Sequence, residues 1–165
     1  MAEMRLLFVC LGNICRSPAA EGVFLHRLAQ EGLNDRFVVD SAGTGGWHAG
    51  HRPDRRMLVA AERRGIHLPS RARQLDRGDL LHFDRILTMD DDNLRAVRSL
   101  ARELAPGAAD LALVEPIPSH CRRFQEREVP DPYYGGEQGF EHVLDLLEDA
   151  CTGLLQSLLE CDQAG

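Results

Sequence analysis

The run MRLLFVC at residues 4–10 stops at a cysteine and gives way at once to LGNICRSP, residues 11–18. Seven residues with little polar interruption suit a strand buried on both faces and are short for a helix. Gly12 and Asn13 are residue types that accept left-handed backbone, so the chain turns sharply there. Ser17 suits the N-cap of a following helix and Pro18 its first turn. Ala20, Val23, Phe24 and Leu28 then recur at helical spacing, giving that helix one buried face. A strand that feeds a helix through so tight a turn constrains the chain to open as a parallel α/β fold.

The same alternation continues. RFVVD (36–40) reads as a second strand and enters the glycine-rich SAGTGGWHAG. A helix over about 54–64 stops at Gly65, a residue suited to a left-handed C-cap. DRILTMD (84–90) is a third strand, followed by a helix carrying Leu94, Val97, Ala101 and Leu104 and ended by Pro106-Gly107. LALV (111–114) is a fourth strand, with a long proline-containing loop to about 137. The last helix has an apolar stripe of Phe140, Val143, Leu144, Leu147, Cys151, Leu154, Leu155 and Leu158, which puts Cys151 in the core and Cys161 at a fraying end. The expectation is one α/β domain over 1–165, with 161–165 frayed: a four-stranded parallel sheet with helices on both faces. Ligands of such sheets sit beyond the carboxyl ends of the strands, where the winding reverses. The loops 11–17, 41–50, 90–93 and 115–136 all follow strands and so share one rim.

Composition removes several functions. All 19 basic residues are arginine, so a lysine-dependent phosphate loop or Schiff-base enzyme is excluded. A net charge of −7 argues against a nucleic-acid partner. No stretch approaches the ~18 apolar residues of a membrane span, and the N-terminal apolar run is short for a signal peptide, so a cytoplasmic protein without a membrane partner is expected. Five cysteines, at 10, 15, 121, 151 and 161, do not read as a disulfide framework. Cys10 and Cys15 have no second closely spaced pair to complete a zinc site, and His120-Cys121 alone is thin support, so no metal is expected.

What remains is the chemistry of the first loop. Backbone N–H groups in a strand-to-helix turn converge on one point, and the helix start adds positive potential, making a nest for an anion. Arg16 grips a phosphate through two parallel hydrogen bonds. The same field favours a thiolate at Cys10, a good nucleophile for phosphorus that would form a phospho-cysteine. The Ser17 hydroxyl is near enough in sequence to hold that thiolate. A lone cysteine at a strand end is ordinarily just buried; Cys, five residues, Arg, Ser between a strand and a helix brings thiol and guanidinium to the same side of one loop. The loop residues Leu11, Gly12, Asn13, Ile14, Cys15 and Ser17 are therefore the candidate phosphate binders.

VCLGNICRSP closely resembles the signature of the low-molecular-weight protein tyrosine phosphatases. The resemblance continues through DSAGTGGWH (40–48), RARQL (71–75), DRILTMDDDNL (84–94) and VPDPYYGG (129–136), in that family's order. It implies a nucleophile at Cys10, transition-state binding by Arg16, a general acid at Asp131, and no cofactor. A carboxyl at Asp131 suits both steps, protonating the leaving phenolate and then activating water; read alone, Asp-Pro is a turn signal. Trp47 and Tyr133 are implied at the pocket mouth, with Tyr134 beside them; aromatic walls would make a slot deep enough to exclude phosphoserine. Asn13 and Ser41 match positions that hold the loop in shape. Many relatives carry a histidine three residues before the arginine of ARQ, where this chain has Ser70; His67 is out of register and has no assigned role.

The implied substrate is a phosphotyrosine protein, the product inorganic phosphate, and the expected assembly a monomer or weak dimer. Rivals are a protein-arginine phosphatase, in which threonine tends to replace Ile14, and an arsenate reductase, which needs a mid-chain cysteine pair absent between Cys15 and Cys121. A phosphate-binding module without turnover is opposed by the joint presence of Cys10, Arg16 and Asp131. Cys15 close to Cys10 would also allow capture of an oxidised Cys10 as a reversible disulfide. The segments HRPDRR and HCRRFQER stand out as local basic patches in an acidic chain.

Overall fold

A computed structural model describes residues 3–108 and 110–164. Its elements in chain order are β1 (Met4–Cys10), α1 (Arg16–Glu31), β2 (Phe37–Gly43), α2 (Arg55–Glu62), α3 (Arg77–His82), β3 (Arg85–Thr88), α4 (Asp91–Leu104), β4 (Leu113–Pro116) and α5 (Glu137–Ala164). The four strands form one parallel sheet in the order β2-β1-β3-β4. The fold is therefore the expected single parallel sheet covered on both faces.

The period-two alternation of β1 divides the core. Leu6, Phe8 and Cys10 face a cluster built from α1, α2 and α5, including Phe24, Leu28, Met57, Phe140 and Leu154. Leu7 and Val9 face the other side, against Leu80 of α3, Ile86 and Val97 of α4. That is why MRLLFVC carries no polar alternation: both of its faces are buried. β1 lies between β2 and β3, so the winding reverses at β1 and β3, and their carboxyl ends open onto one crevice.

Several boundaries differ from the sequence expectation. β2 continues to Gly43 because Ser41, Ala42 and Gly43 pair with Phe8, Val9 and Cys10. β3 stops at Thr88, since the Met89 and Asp90 N–H groups turn to the Asn93 side chain. β4 lies two residues later than LALV. α2 stops at Glu62, and Gly65 beyond it takes the positive φ of 75°. α5 continues through Cys161 to Ala164, while Gly165 lies outside the described residues. The helix α3 is new. It begins with a reciprocal capping box between Asp76 and Asp79 and is only six residues long.

The long loop after β4 is seated on α5. A 3₁₀ turn at Ile117–His120 packs so tightly on Gly153 that a Cβ there would overlap the His120 carbonyl. The Asp149 carboxylate accepts from the N–H groups of Arg122, Arg123 and Phe124. Gly153→Ala should therefore destabilise the protein by about 1–3 kcal/mol through overpacking. Thermal melts of the variant and wild type measure it, and equal midpoints would contradict this seating.

Candidate active site

The loop 11–15 joins β1 to α1 with its carbonyls turned outward. Thr44 N–H donates to Cys10 O, Gly45 N–H to Leu11 O and Asp54 N–H to Ile14 O, at 2.9, 2.9 and 2.7 Å. With those carbonyls spent on the 44–54 segment, the loop is free to aim N–H groups at its own centre. The Asn13 N–H lies 3.3 Å from Cys10 Sγ. Asn13 has a φ of 58°, and among the described residues it is the one non-glycine with positive φ. Asparagine is tolerated there because its short polar side chain finds local partners.

Those partners form a buried chain to the nucleophile candidate. Asn13 Nδ2 donates to Ser17 Oγ (2.8 Å) and to Ser41 Oγ (3.0 Å), while its Oδ1 accepts from the Arg73 N–H. Ser17 Oγ, which accepts from Asn13, lies 3.0 Å from Cys10 Sγ and 3.4 Å from the Ala42 carbonyl oxygen. Ser17 is therefore not an N-cap: Cys15 precedes α1 and no side chain caps it. The expected capping hydroxyl is drawn instead into the site.

Behind Ser41 the chain ends at Glu21. Ser41 Oγ donates to Glu21 Oε1 at 2.6 Å and lies 3.4 Å from Ser70 Oγ. Ser70, which stands where many relatives carry a histidine, thus faces Ser41 with its hydroxyl. His67 is exposed and takes no part in this network. Glu21 is buried, and burial is the main influence pushing its carboxyl up, against the hydrogen bonds from Ser41 and Ser70.

Arg16 is 3% exposed. Its Nη1 donates to Asp90 Oδ2 at 2.6 Å and to the Val129 carbonyl at 3.0 Å, and Nη2 lies 3.8 Å from Asp131 Oδ2. Burial works against its charge, but Cys10, Asp90 and Asp131 together outweigh that and raise its pKa. Asp90 divides its carboxylate between two tasks: Oδ1 caps α4 at Asn93 N–H and Oδ2 holds Arg16. Sequence reading missed Asp90, Glu21 and the Arg73 backbone. Asp90 alone left a signal, an acid at a strand end three residues before the Asn93 of a helix start.

Cys10, Leu11, Gly12, Ile14, Cys15, Arg16, Trp47, His48, Asp131, Tyr133 and Tyr134 line one cavity of about 300 Å³. Asn13, Ser17 and Ser41 lie beneath it, buried. Asp131 Oδ1 accepts from the Tyr133 N–H, an Asx turn that fixes the carboxylate at the cavity edge. Trp47 is 72% and Tyr134 95% exposed, so neither is ordinary core. The Tyr133 ring is backed by the Arg56 guanidinium, 5.4 Å from its centroid. His48, which carried no role in the sequence reading, also borders the cavity and packs over Gly12. Burial, with Asp54 and Cys10 nearby, pushes the Cys15 thiol far up and keeps it protonated, so capture of an oxidised Cys10 requires that proton to leave.

Glu21 makes a pH-dependent prediction. Because the folded protein holds its proton more tightly than the unfolded chain, Glu21 contributes stability below the ordinary carboxylate range. That contribution drains as pH rises through its raised folded value. Glu21→Gln removes the loss, so the variant's stability relative to wild type should increase between about pH 4 and about pH 8. Denaturant melts at the two pH values check this; a difference that stays flat or shrinks contradicts it.

With this geometry in hand, comparisons with known proteins identify the scaffold. Residues 5–164 match the family model described as low molecular weight phosphotyrosine protein phosphatase. A Synechocystis sp. protein provisionally named a low molecular weight protein-tyrosine-phosphatase is 52% identical over 155 residues, covering 94% of this chain and 96% of that one. The crystal structure of an Entamoeba histolytica protein tyrosine phosphatase, with Hepes in its active site, superposes with a TM-score of 0.90 at 41% identity, covering 97% and 99% of the two chains. A Drosophila arginine phosphatase superposes with a TM-score of 0.87 at 31% identity, covering 94% and 98%. The chain belongs to the low molecular weight phosphotyrosine protein phosphatase family.

Proposed function

We propose that the protein hydrolyses phosphotyrosine monoesters through a phospho-cysteine on Cys10. The observation that carries this reading is one cavity in which Cys10, the Arg16 guanidinium and the Asp131 carboxylate all meet. In the first step Cys10 sulfur attacks phosphorus and the tyrosyl oxygen leaves, taking a proton from Asp131. In the second, Asp131 accepts a proton from water as that water attacks the phospho-cysteine, releasing inorganic phosphate and the thiolate. Arg16 and the N–H groups of residues 11–15 hold the phosphoryl oxygens, whose charge is spread in the transition state. The Ser17 hydroxyl, 3.0 Å from the sulfur, steadies the thiolate at the start and as it leaves phosphorus.

A phenyl ring is the fitting leaving group because the cavity walls are aromatic and apolar: Trp47 and Tyr133, with Leu11 and Ile14. A protein-arginine phosphatase is the second reading, supported by the likeness to the Drosophila enzyme, and Ile14 in place of threonine weighs against it.

Phosphate release from a phosphotyrosine peptide, with a phosphoarginine peptide alongside, tests the assignment. Cys10→Ser should fall to background while wild type turns over the tyrosine substrate and leaves the arginine one nearly untouched. Equal activity in the variant, or preference for phosphoarginine, would overturn the reading. Asp131→Asn should lose about 10²–10³-fold in kcat with phosphotyrosine. It should lose much less with p-nitrophenyl phosphate, whose leaving group needs little protonation; equal losses would remove Asp131 as the acid.

A further inference from the structure

Two basic segments stand out in this acidic chain, HRPDRR and HCRRFQER, and the structure treats them oppositely. The second is set among acids: the backbone N–H groups of Arg122 and Arg123 donate to Asp149, Arg127 pairs with Asp91 at 3.2 Å, and Asp145, Glu148 and Asp149 line the hollow beside Arg123. The first lies in a stretch, residues 47–73, that holds seven arginines against two carboxylates. The rest of the chain holds 12 arginines against 24, so the charge is sharply segregated.

Four of those seven arginines are committed. Arg64 binds Glu141, Asp145 and Glu148; Arg73 binds Asp40 and Asp79; Arg56 binds Asp54; Arg63 reaches Glu137 at 4.0 Å. Arg52, Arg55 and Arg71 are exposed, and among the described residues no carboxylate pairs with them; Arg71 Nη1 donates to the Gly50 carbonyl. They adjoin cavity residues without lining the cavity themselves, and Arg55 lines a second hollow with Arg56, Glu137 and Glu141. Asp54, between Arg52 and Arg55, is bonded to Ile14 of the loop, Arg56 backs Tyr133, and His51 packs its ring edge against His48 of the cavity wall.

The helix does not ask for these charges. Arg55 and Arg56 occupy the first turn of α2, where the helix dipole disfavours cations; the N-cap Asp54 pairs with Arg56, and no acid pairs with Arg55. Arg55, unpaired at an unfavourable helix position, and the unpaired loop residues Arg52 and Arg71, close to a cavity for a phosphate monoester, call for a ligand outside the chain.

The geometry points to a docking lip formed by Arg52 and Arg55, with Arg71 behind them, that receives carboxylate side chains flanking the phosphotyrosine of a polypeptide substrate. The inference rests on the phosphatase reading and sets its substrate class: acidic phosphotyrosine sequences. Exposed pairs of this kind are individually weak and screened by salt, so the preference is modest and ionic-strength dependent.

The test compares kcat/KM for two peptides, one with Asp and Glu around the phosphotyrosine and one with Ala there, using wild type and the Arg52→Glu/Arg55→Glu variant. Wild type should favour the acidic peptide by about tenfold at low salt, the effect of two exposed ion pairs, and lose most of that at about 0.5 M salt. The variant should favour the alanine peptide, keep wild-type activity on p-nitrophenyl phosphate, and melt no lower than wild type. A wild-type ratio near one, or a ratio unchanged in the variant, overturns the lip. Absence of any phosphotyrosine turnover by wild type would instead overturn the phosphatase reading itself.

Discussion

The guanidinium of Arg16 is the fixed point of this structure. A charge so deeply buried is sustained only if its N–H groups are met by good acceptors, and the acceptors come from two other loops. Asp90 belongs to the turn after β3, while the Val129 carbonyl and Asp131 belong to the long segment after β4. Meeting the needs of one side chain therefore draws three strand ends to the same place. Val129 N–H completes the seam by donating to Met89 O at 2.7 Å. The parallel sheet sets the carboxyl ends of β1 and β3 side by side, and the arginine converts that adjacency into a site.

The second constraint is the bend at Asn13, a left-handed conformation that costs an L-residue roughly 1–2 kcal/mol. The hydrogen bonds Asn13 donates to Ser17 and Ser41 and accepts from the Arg73 backbone N–H offset that cost and at the same time hold a hydroxyl beside Cys10. Glu21 at the far end is a less comfortable member, a carboxyl whose ionisation burial disfavours. Stability given up there is the counterpart of a polar network sited beneath the Cys10 sulfur, a common trade at functional sites.

The sheet was readable because its signals are local. LLFVC, residues 6–10, has the unbroken apolarity of a strand buried twice, and the stripe from Phe140 to Leu158 keeps helical period to the end. Cys10, Arg16 and the chain between them were readable for the same reason: they lie within one short turn. What escaped depends on contacts across the chain. α3 is six residues with little apolar period, held by its capping box and by Leu80 in the second core cluster. Asp90 meets Arg16 from 74 residues away, and Ser41 meets Glu21 from 20. Ser17 looked like a cap because serine before a helix usually is one; only the position of Cys10 Sγ shows where its hydroxyl goes.

In the proposed reaction sulfur is the atom that takes the phosphoryl group. The most direct measurement is rapid acid quench of the enzyme mixed with a phosphotyrosine peptide, followed by mass spectrometry of the fragment spanning residues 5–16. A transient phosphoryl group should appear on Cys10, formed as tyrosine is released and lost as inorganic phosphate appears. Turnover with that fragment unmodified at every time point, or a phosphoryl group carried by another residue, would contradict it.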